Sequence, residues 1–127
     1  MKEISAGVIL SAILIIAGEL LGPSFRFDFF ALVLSIIAAI YIGFALSDGR
    51  RRYIVLESAN AMAYGVLALL GMWASPWYLF AGYIAHGGWD LVHHNRGIRT
   101  RIVPWYVPFC VVIDWLVGAY IAIRVLA

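Results

Sequence analysis

Five apolar runs, each about as long as a bilayer is thick, alternate along the chain with short polar breaks: 4–21, 29–46, 53–73, 77–95 and 105–126. A crossing takes roughly 20 mostly apolar residues, because a helix rises about 1.5 Å per residue. The breaks carry residues that end or start helices. Gly22-Pro23 closes the first run, since glycine takes the left-handed terminal position and proline cannot continue a helix. Ser47-Asp48-Gly49 closes the second in the same way. Ser75-Pro76 reads as an N-cap followed by a first-turn proline, and Pro104 or Pro108 opens the fifth run. Connections this short make neighbours in sequence antiparallel neighbours in space. The pattern predicts an all-α integral membrane protein with five transmembrane helices in a compact antiparallel bundle, one transmembrane domain over residues 1–127. The first run lacks a small-residue cleavage site and reads as a retained helix.

Composition agrees. Of the 127 residues, 65% are apolar and 13% charged, against roughly half and a quarter in soluble domains. Charge then orients the spans. Lys2, Arg50, Arg51, Arg52, Arg96, Arg99 and Arg101 fall on one side of a five-helix arrangement, and only Arg26 and Arg124 on the other. Cytoplasmic loops carry the excess of Lys and Arg, so the N-terminus is expected inside and the C-terminus outside. The net charge of +2 then reflects insertion and contact with anionic membrane lipids. No basic face suited to nucleic acid is visible. The single cysteine, Cys110, cannot form an internal disulfide and reads as a small apolar filler.

One run departs from its neighbours. WYLFAGYIAHGGWDLVHHN, residues 77–95, holds all three histidines and an aspartate. Ionisable groups are costly in hydrocarbon and, where present, face a partner, a cavity or an ion. His86 and Asp90, and Asp90 and His94, are four apart, and Asp90 and His93 three apart, so each pair shares a helix face. Counting turns places Glu57, Asn60, Asp90, His93, His94 and Asp114 in the cytoplasmic half of the bilayer, with His86 near the midplane. His86 and His93 are separated by roughly 10 Å along the axis, too far for one ion to take both, whereas Asp90 can serve a site on either side. Glu57, Asn60 and Tyr64 share one stripe of the third helix. Gly82, Gly87 and Gly88 allow close helix approach or leave room for a ligand.

Each residue also has an ordinary reading. His93 and His94 at a helix end can be interfacial, Asp90 can pair with Arg96 or Arg99, and Glu57 can pair with Arg51 or Arg52. His86 and Asp114 can simply tie the fourth helix to the fifth. Such ties average only about 0.6 kcal/mol where best measured, a small return for two buried ionisable groups. Carboxylates and histidines projecting from facing helices are the elements of bundle metal sites, and nitrogen and oxygen donors suit zinc or iron. The expected ligands are His86, Asp90, His93, His94 and Asp114, with Glu57 as general acid–base. Asn60, Tyr64, Trp89 and Trp115 are expected to line a second shell or substrate pocket.

The segments HGGWDLVHH and VPWYVPFCVVIDW resemble small uncharacterised bacterial membrane proteins grouped only as a domain of unknown function. The resemblance rests on His86, Gly87, Trp89, Asp90, His93, His94, Pro104, Tyr106, Pro108 and Asp114. It implies a bacterial or archaeal multi-pass protein of the inner (cytoplasmic) membrane and brings no activity with it. The leading expectation is a small membrane enzyme acting on a lipid or other hydrophobic small molecule through a divalent metal. A proton-coupled carrier and a structural subunit stand as alternatives. A carrier lacks polar residues to continue a path through the outer half, unless a homodimer completes it.

Overall fold

Left-handed glycines close the first two breaks in the apolar pattern, Gly22 at φ 78° and Gly49 at φ 80°. The computed structural model describes residues 1–127 and contains five α-helices and no strand: α1 (Lys2–Leu20), α2 (Arg26–Asp48), α3 (Arg51–Trp73), α4 (Trp77–His94) and α5 (Tyr106–Leu126). Gly49 ends α2 at φ 80° and returns its N–H to Ala45 O at 3.0 Å, the left-handed closure that glycine makes without steric cost. Ser75 Oγ accepts the Trp77 N–H at 3.4 Å as α4 begins. The second helix starts at Arg26 rather than at the expected 29. Arg26 is buried, and its guanidinium donates to Glu19 Oε2 at 2.8 Å across the α1–α2 turn.

Two polar clasps hold the ends of the helices. At one end Glu19 also binds Arg124, 2.6 Å away on α5, the pairing that their positions at like ends of α1 and α5 suggest, and it accepts the Tyr120 hydroxyl. At the opposite end Arg50 grips Asp48 at 2.5 and 2.7 Å and donates to Arg99 O at 2.6 Å. Asp48 in turn accepts the Arg101 N–H at 2.8 Å. The α2–α3 turn is thereby fixed to the segment joining α4 to α5. Between the clasps, α2 packs chiefly on α3, and α5 on both α4 and α1, while α4 also meets α2 and α3.

Polarity runs opposite to that of a water-soluble fold. Ile9, Ile16, Leu32, Met62 and Ile123 are more than half exposed, whereas Glu57, His86, Asp90 and Asp114 are fully buried. Carboxylates are among the residues least often found buried. Helices α1, α2, α3 and α5 are long and apolar enough to cross a membrane, and α4 is not among them. The expected count of five was read from length and general apolarity. Helix α4 falls short because its interior positions are His86, Asp90 and His93, while its outward residues include Trp77, Tyr78, Ile84 and Val92.

Candidate metal centre

The stripe Leu79, Gly82, Tyr83, His86, Gly87, Asp90 and His93 is the buried face of α4, at the three- and four-residue spacing of a helix. It carries two polar clusters, which share this helix and are separated by the Tyr41 ring.

The first cluster joins α2, α4 and α5. His86 Nδ1 lies 2.7 Å from Asp114 Oδ2 and 3.9 Å from Asp90 Oδ2. The Tyr41 hydroxyl donates to Asp90 Oδ1. Cys110 Sγ is 3.8 Å from Asp114 Oδ2 and 3.6 Å from the Tyr106 hydroxyl. Donation from Nδ1 to the Asp114 carboxylate leaves a lone pair on Nε2 of a neutral ring. His86 Nε2, Asp90 Oδ2 and Asp114 Oδ1 are all buried without a hydrogen-bond partner. The Tyr64 ring meets the His86 ring edge-on at 4.9 Å between centroids.

Buried polar atoms are almost always paired, yet here two carboxyl groups and one imidazole leave three such atoms without partners. One ligand atom from each of His86, Asp90, Cys110 and Asp114 falls within 4.8 Å of the others. Zinc with bonds of about 2.0–2.3 Å sets tetrahedral ligands roughly 3.3–3.8 Å apart. His86 Nδ1 to Asp90 Oδ2 and Cys110 Sγ to Asp114 Oδ2, at 3.9 and 3.8 Å, are close to that edge, and Nδ1 would have to give up its proton to serve as the ligand. The His86–Asp114 contact, 2.7 Å, is a hydrogen bond that would break and open by about 0.6 Å. The four residues could hold a metal ion, and the unpaired oxygens are its natural point of entry.

The second cluster lies towards the Arg-rich end. Glu57 Oε1 meets His93 Nε2 at 2.5 Å and accepts the Thr100 hydroxyl at 2.7 Å, while Oε2 accepts the Trp89 indole N–H at 3.1 Å. His93 Nδ1 lies 2.9 Å from the Trp89 carbonyl. A carbonyl only accepts, so Nδ1 carries a proton and Nε2 and Oε1 share one further proton between them. The Tyr41 ring lies tilted against His93 at 4.6 Å and meets His86 edge-on at 5.6 Å between centroids.

The expected set is therefore divided. His86, Asp90 and Asp114 come together, but His93 binds Glu57 instead. His94 is exposed and joins neither cluster. At about 100° per residue, His93 falls roughly 20° from His86 around the helix, and His94 roughly 80°. Asp90 and Glu57 do not pair with the arginines considered for them. Asn60 is half-buried with no side-chain hydrogen bond, Tyr64 and Trp89 touch the clusters, and Trp115 lies on the outer surface over Gly87. A Cβ at Gly87 would overlap that indole, so this glycine serves helix approach, while Gly88 faces open space. Tyr41, Tyr106 and Thr100 join the clusters although none was expected at the site, and Cys110, expected as a small apolar filler, sits beside Asp114 and Tyr106 in the first. Only Cys110 carried a readable sign, its place four residues before Asp114 on one face of α5.

These features define an all-α protein with membrane-span-like helices and a buried His/Asp/Cys centre. The chain belongs to a family of unknown function, DUF6010, which matches residues 2–125. No curated protein and no solved structure matches it.

Proposed function

We propose that this protein is a small membrane metalloenzyme whose substrate is a lipid or other hydrophobic molecule. One observation carries the reading: two fully buried carboxyl groups, Asp90 and Asp114, each present an unpaired oxygen beside His86 and Cys110. A divalent cation accepts these donors together and stabilises both groups as carboxylates. Sulfur, nitrogen and oxygen donors favour zinc, with iron next. Such an ion, when bound, activates a water or polarises a substrate carbonyl or phosphoryl oxygen.

The protein's own residues prepare that site. Tyr41 fixes Asp90, and Asp114 orients His86. Glu57 and His93 hold a proton at Oε1/Nε2, with Trp89 and Thr100 fixing the carboxyl group, which suits them to general acid–base work. A wholly apolar groove of about 280 Å³ between α1, α2 and α5 reaches Tyr106 and Cys110, and supplies a route by which a hydrophobic substrate approaches the centre from the side.

In this reading α4 is the fifth span, since His86, Asp90 and His93 are enclosed by protein rather than lipid, and the exposed His94 lies at its end. The N-terminus and the Arg-rich turns lie on the cytoplasmic side of the inner membrane. Towards the other end the interior is Phe30, Leu34, Leu79, Tyr83, Val117 and Ile121, and the Tyr83 hydroxyl is satisfied by Phe30 O. A polar chamber closed by such a layer favours chemistry over passage, and a carrier would need a second copy to complete its path.

Elemental analysis of detergent-purified protein tests the proposal. About one divalent ion per chain is expected, lost in Asp114→Asn and in Cys110→Ser. Metal far below stoichiometry in gently purified protein, which also fails to take up zinc or iron on addition, overturns it.

A further inference from the structure

At the Arg-rich end, a basin of about 660 Å³ opens beside the Glu57–His93–Thr100 cluster, lined in part by His93, Arg96, Arg99, Thr100 and Arg101. The three arginine side chains form no salt bridge. Asp48, the carboxylate nearest this segment along the two turns, is engaged by Arg50 and by the Arg101 N–H. The contrast with the far end is sharp, where Arg26 and Arg124 both bind Glu19. The segment is held by its backbone and by the Thr100 hydroxyl, leaving the cationic side chains to the basin.

Arg96 adds a second observation. It has φ 59°, a left-handed conformation in which side chains are uncommon and glycine is favoured. Gly97 follows directly, bonding its N–H to Val92 O at 2.9 Å, while the Arg96 N–H bonds to His93 O at 3.0 Å. This is a helix-terminating closure with arginine at the position where glycine fits best. The closure costs an arginine more than it would cost a glycine, and it turns the Arg96 side chain to the basin that it lines.

The basin does not end in water alone. Through His94 and Val107 it adjoins a groove of about 230 Å³ between α1, α4 and α5, whose other lining residues include Ile4, Leu91, Pro108, Val111 and Val112. Unpaired cationic groups beside an apolar channel, at the end of helices suited to span a membrane, match an amphiphile with a negative head and a hydrocarbon tail.

We infer that this end of the protein is a seat for one anionic phospholipid, its phosphate held by Arg96, Arg99 and Arg101 and an acyl chain lying on the α1–α4–α5 groove. As a binding site it stands independently of the metal centre. As the identity of the substrate it rests on the enzyme reading, and it places the head group against Thr100 and His93.

Native mass spectrometry of the full chain in detergent, titrated with phosphatidylglycerol, phosphatidylcholine or inorganic phosphate, provides the test. One tightly retained phosphatidylglycerol per chain is expected, with weaker retention of phosphatidylcholine and no comparable competition by inorganic phosphate. Arg99→Gln and Arg101→Gln should each weaken phosphatidylglycerol about fivefold. Arg96→Gly should weaken it similarly while keeping or raising thermal stability, because glycine suits the positive φ. Equal retention of the two lipids, graded uptake of many lipids with no distinct first site, or full affinity in the arginine variants overturns the inference. Competition by phosphate as strong as by lipid also overturns it, because the groove would then contribute nothing. Metal content measured on the Arg96→Gly sample separates the two readings: lost lipid with retained metal supports this site, whatever the metal centre does in other variants.

Discussion

His86 Nδ1 and Asp114 Oδ2 stand 2.7 Å apart across the α4–α5 interface, both fully buried. The contact fixes one imidazole nitrogen and one carboxylate oxygen, and leaves Nε2 and Oδ1 without partners. A purely structural tie would consume its polar atoms. This one leaves half of them unspent, and Asp90 brings another beside them.

Asp114→Asn tests that distinction. The amide keeps the shape and can still bond His86, so helix packing should survive with a loss of about 1–3 kcal/mol. Metal content should fall to background, because a neutral amide is a far weaker ligand than a carboxylate. Thermal unfolding followed by tryptophan fluorescence and elemental analysis on the same sample give the two readouts. Loss of folding with no metal in the parent protein would instead mark the contact as a tie.

Tyr41→Phe removes the hydroxyl that fixes Asp90 and keeps the ring between His86 and His93. The stability cost should be about 1 kcal/mol. Metal affinity should drop roughly 10–100-fold, the usual effect of removing a partner that orients a ligand. Competition with a chelator of known affinity measures it. An unchanged affinity would remove Asp90 from the proposed ligand set.

Cys110 offers a spectroscopic check. Cobalt bound through its thiolate should give a sulfur-to-cobalt charge-transfer band in the near ultraviolet, absent in Cys110→Ser. Uptake should release protons and weaken as pH falls, since thiol and imidazole must lose protons to ligate. A cobalt complex without the band would leave a centre of His86, Asp90 and Asp114 alone.

Much of this was legible in the sequence, for physical reasons. The helices were, because Gly22-Pro23, Ser47-Asp48-Gly49 and Ser75-Pro76 interrupt apolar runs of spanning length. The start of α2 was not, since Arg26 looks like a loop residue until Glu19 is seen to hold it. His86, Asp90 and Asp114 follow from helical spacing and depth. His93 and His94 share a face with Asp90 by spacing, but only the rotation relative to His86 separates them, and that requires knowing which face is buried. Tyr41 lies on a helix whose middle has no ionisable residue, and Thr100 reaches Glu57 only because the segment after α4 folds back. Neither fold-back nor cross-helix partners can be read from local pattern.

Glu57→Gln separates the second cluster from the first. The carboxylate accepts from Trp89 and Thr100 and shares a proton with His93. An amide satisfies some of these bonds but cannot exchange that proton. Metal content should stay at the parent level and stability should fall by about 1–2 kcal/mol. If metal is lost as well, the clusters are one coupled site and Tyr41 does not insulate them.

Orientation can be tested because the only native thiol, Cys110, is buried. In the proposed orientation, argued from the seven-to-two division of basic residues, the α4–α5 segment is inside and the α1–α2 turn outside. Ser24 and Arg99 are both exposed and lie on opposite ends of the helices. In intact cells a membrane-impermeant maleimide should label Ser24→Cys and spare Arg99→Cys. Permeabilisation should expose Arg99→Cys, and the parent chain should stay unlabelled throughout. Labelling of both positions in intact cells would mean that α4 does not cross the bilayer. The buried carboxylates would then belong to a helix lying against the membrane rather than through it, and the lateral route to Cys110 would lose its basis.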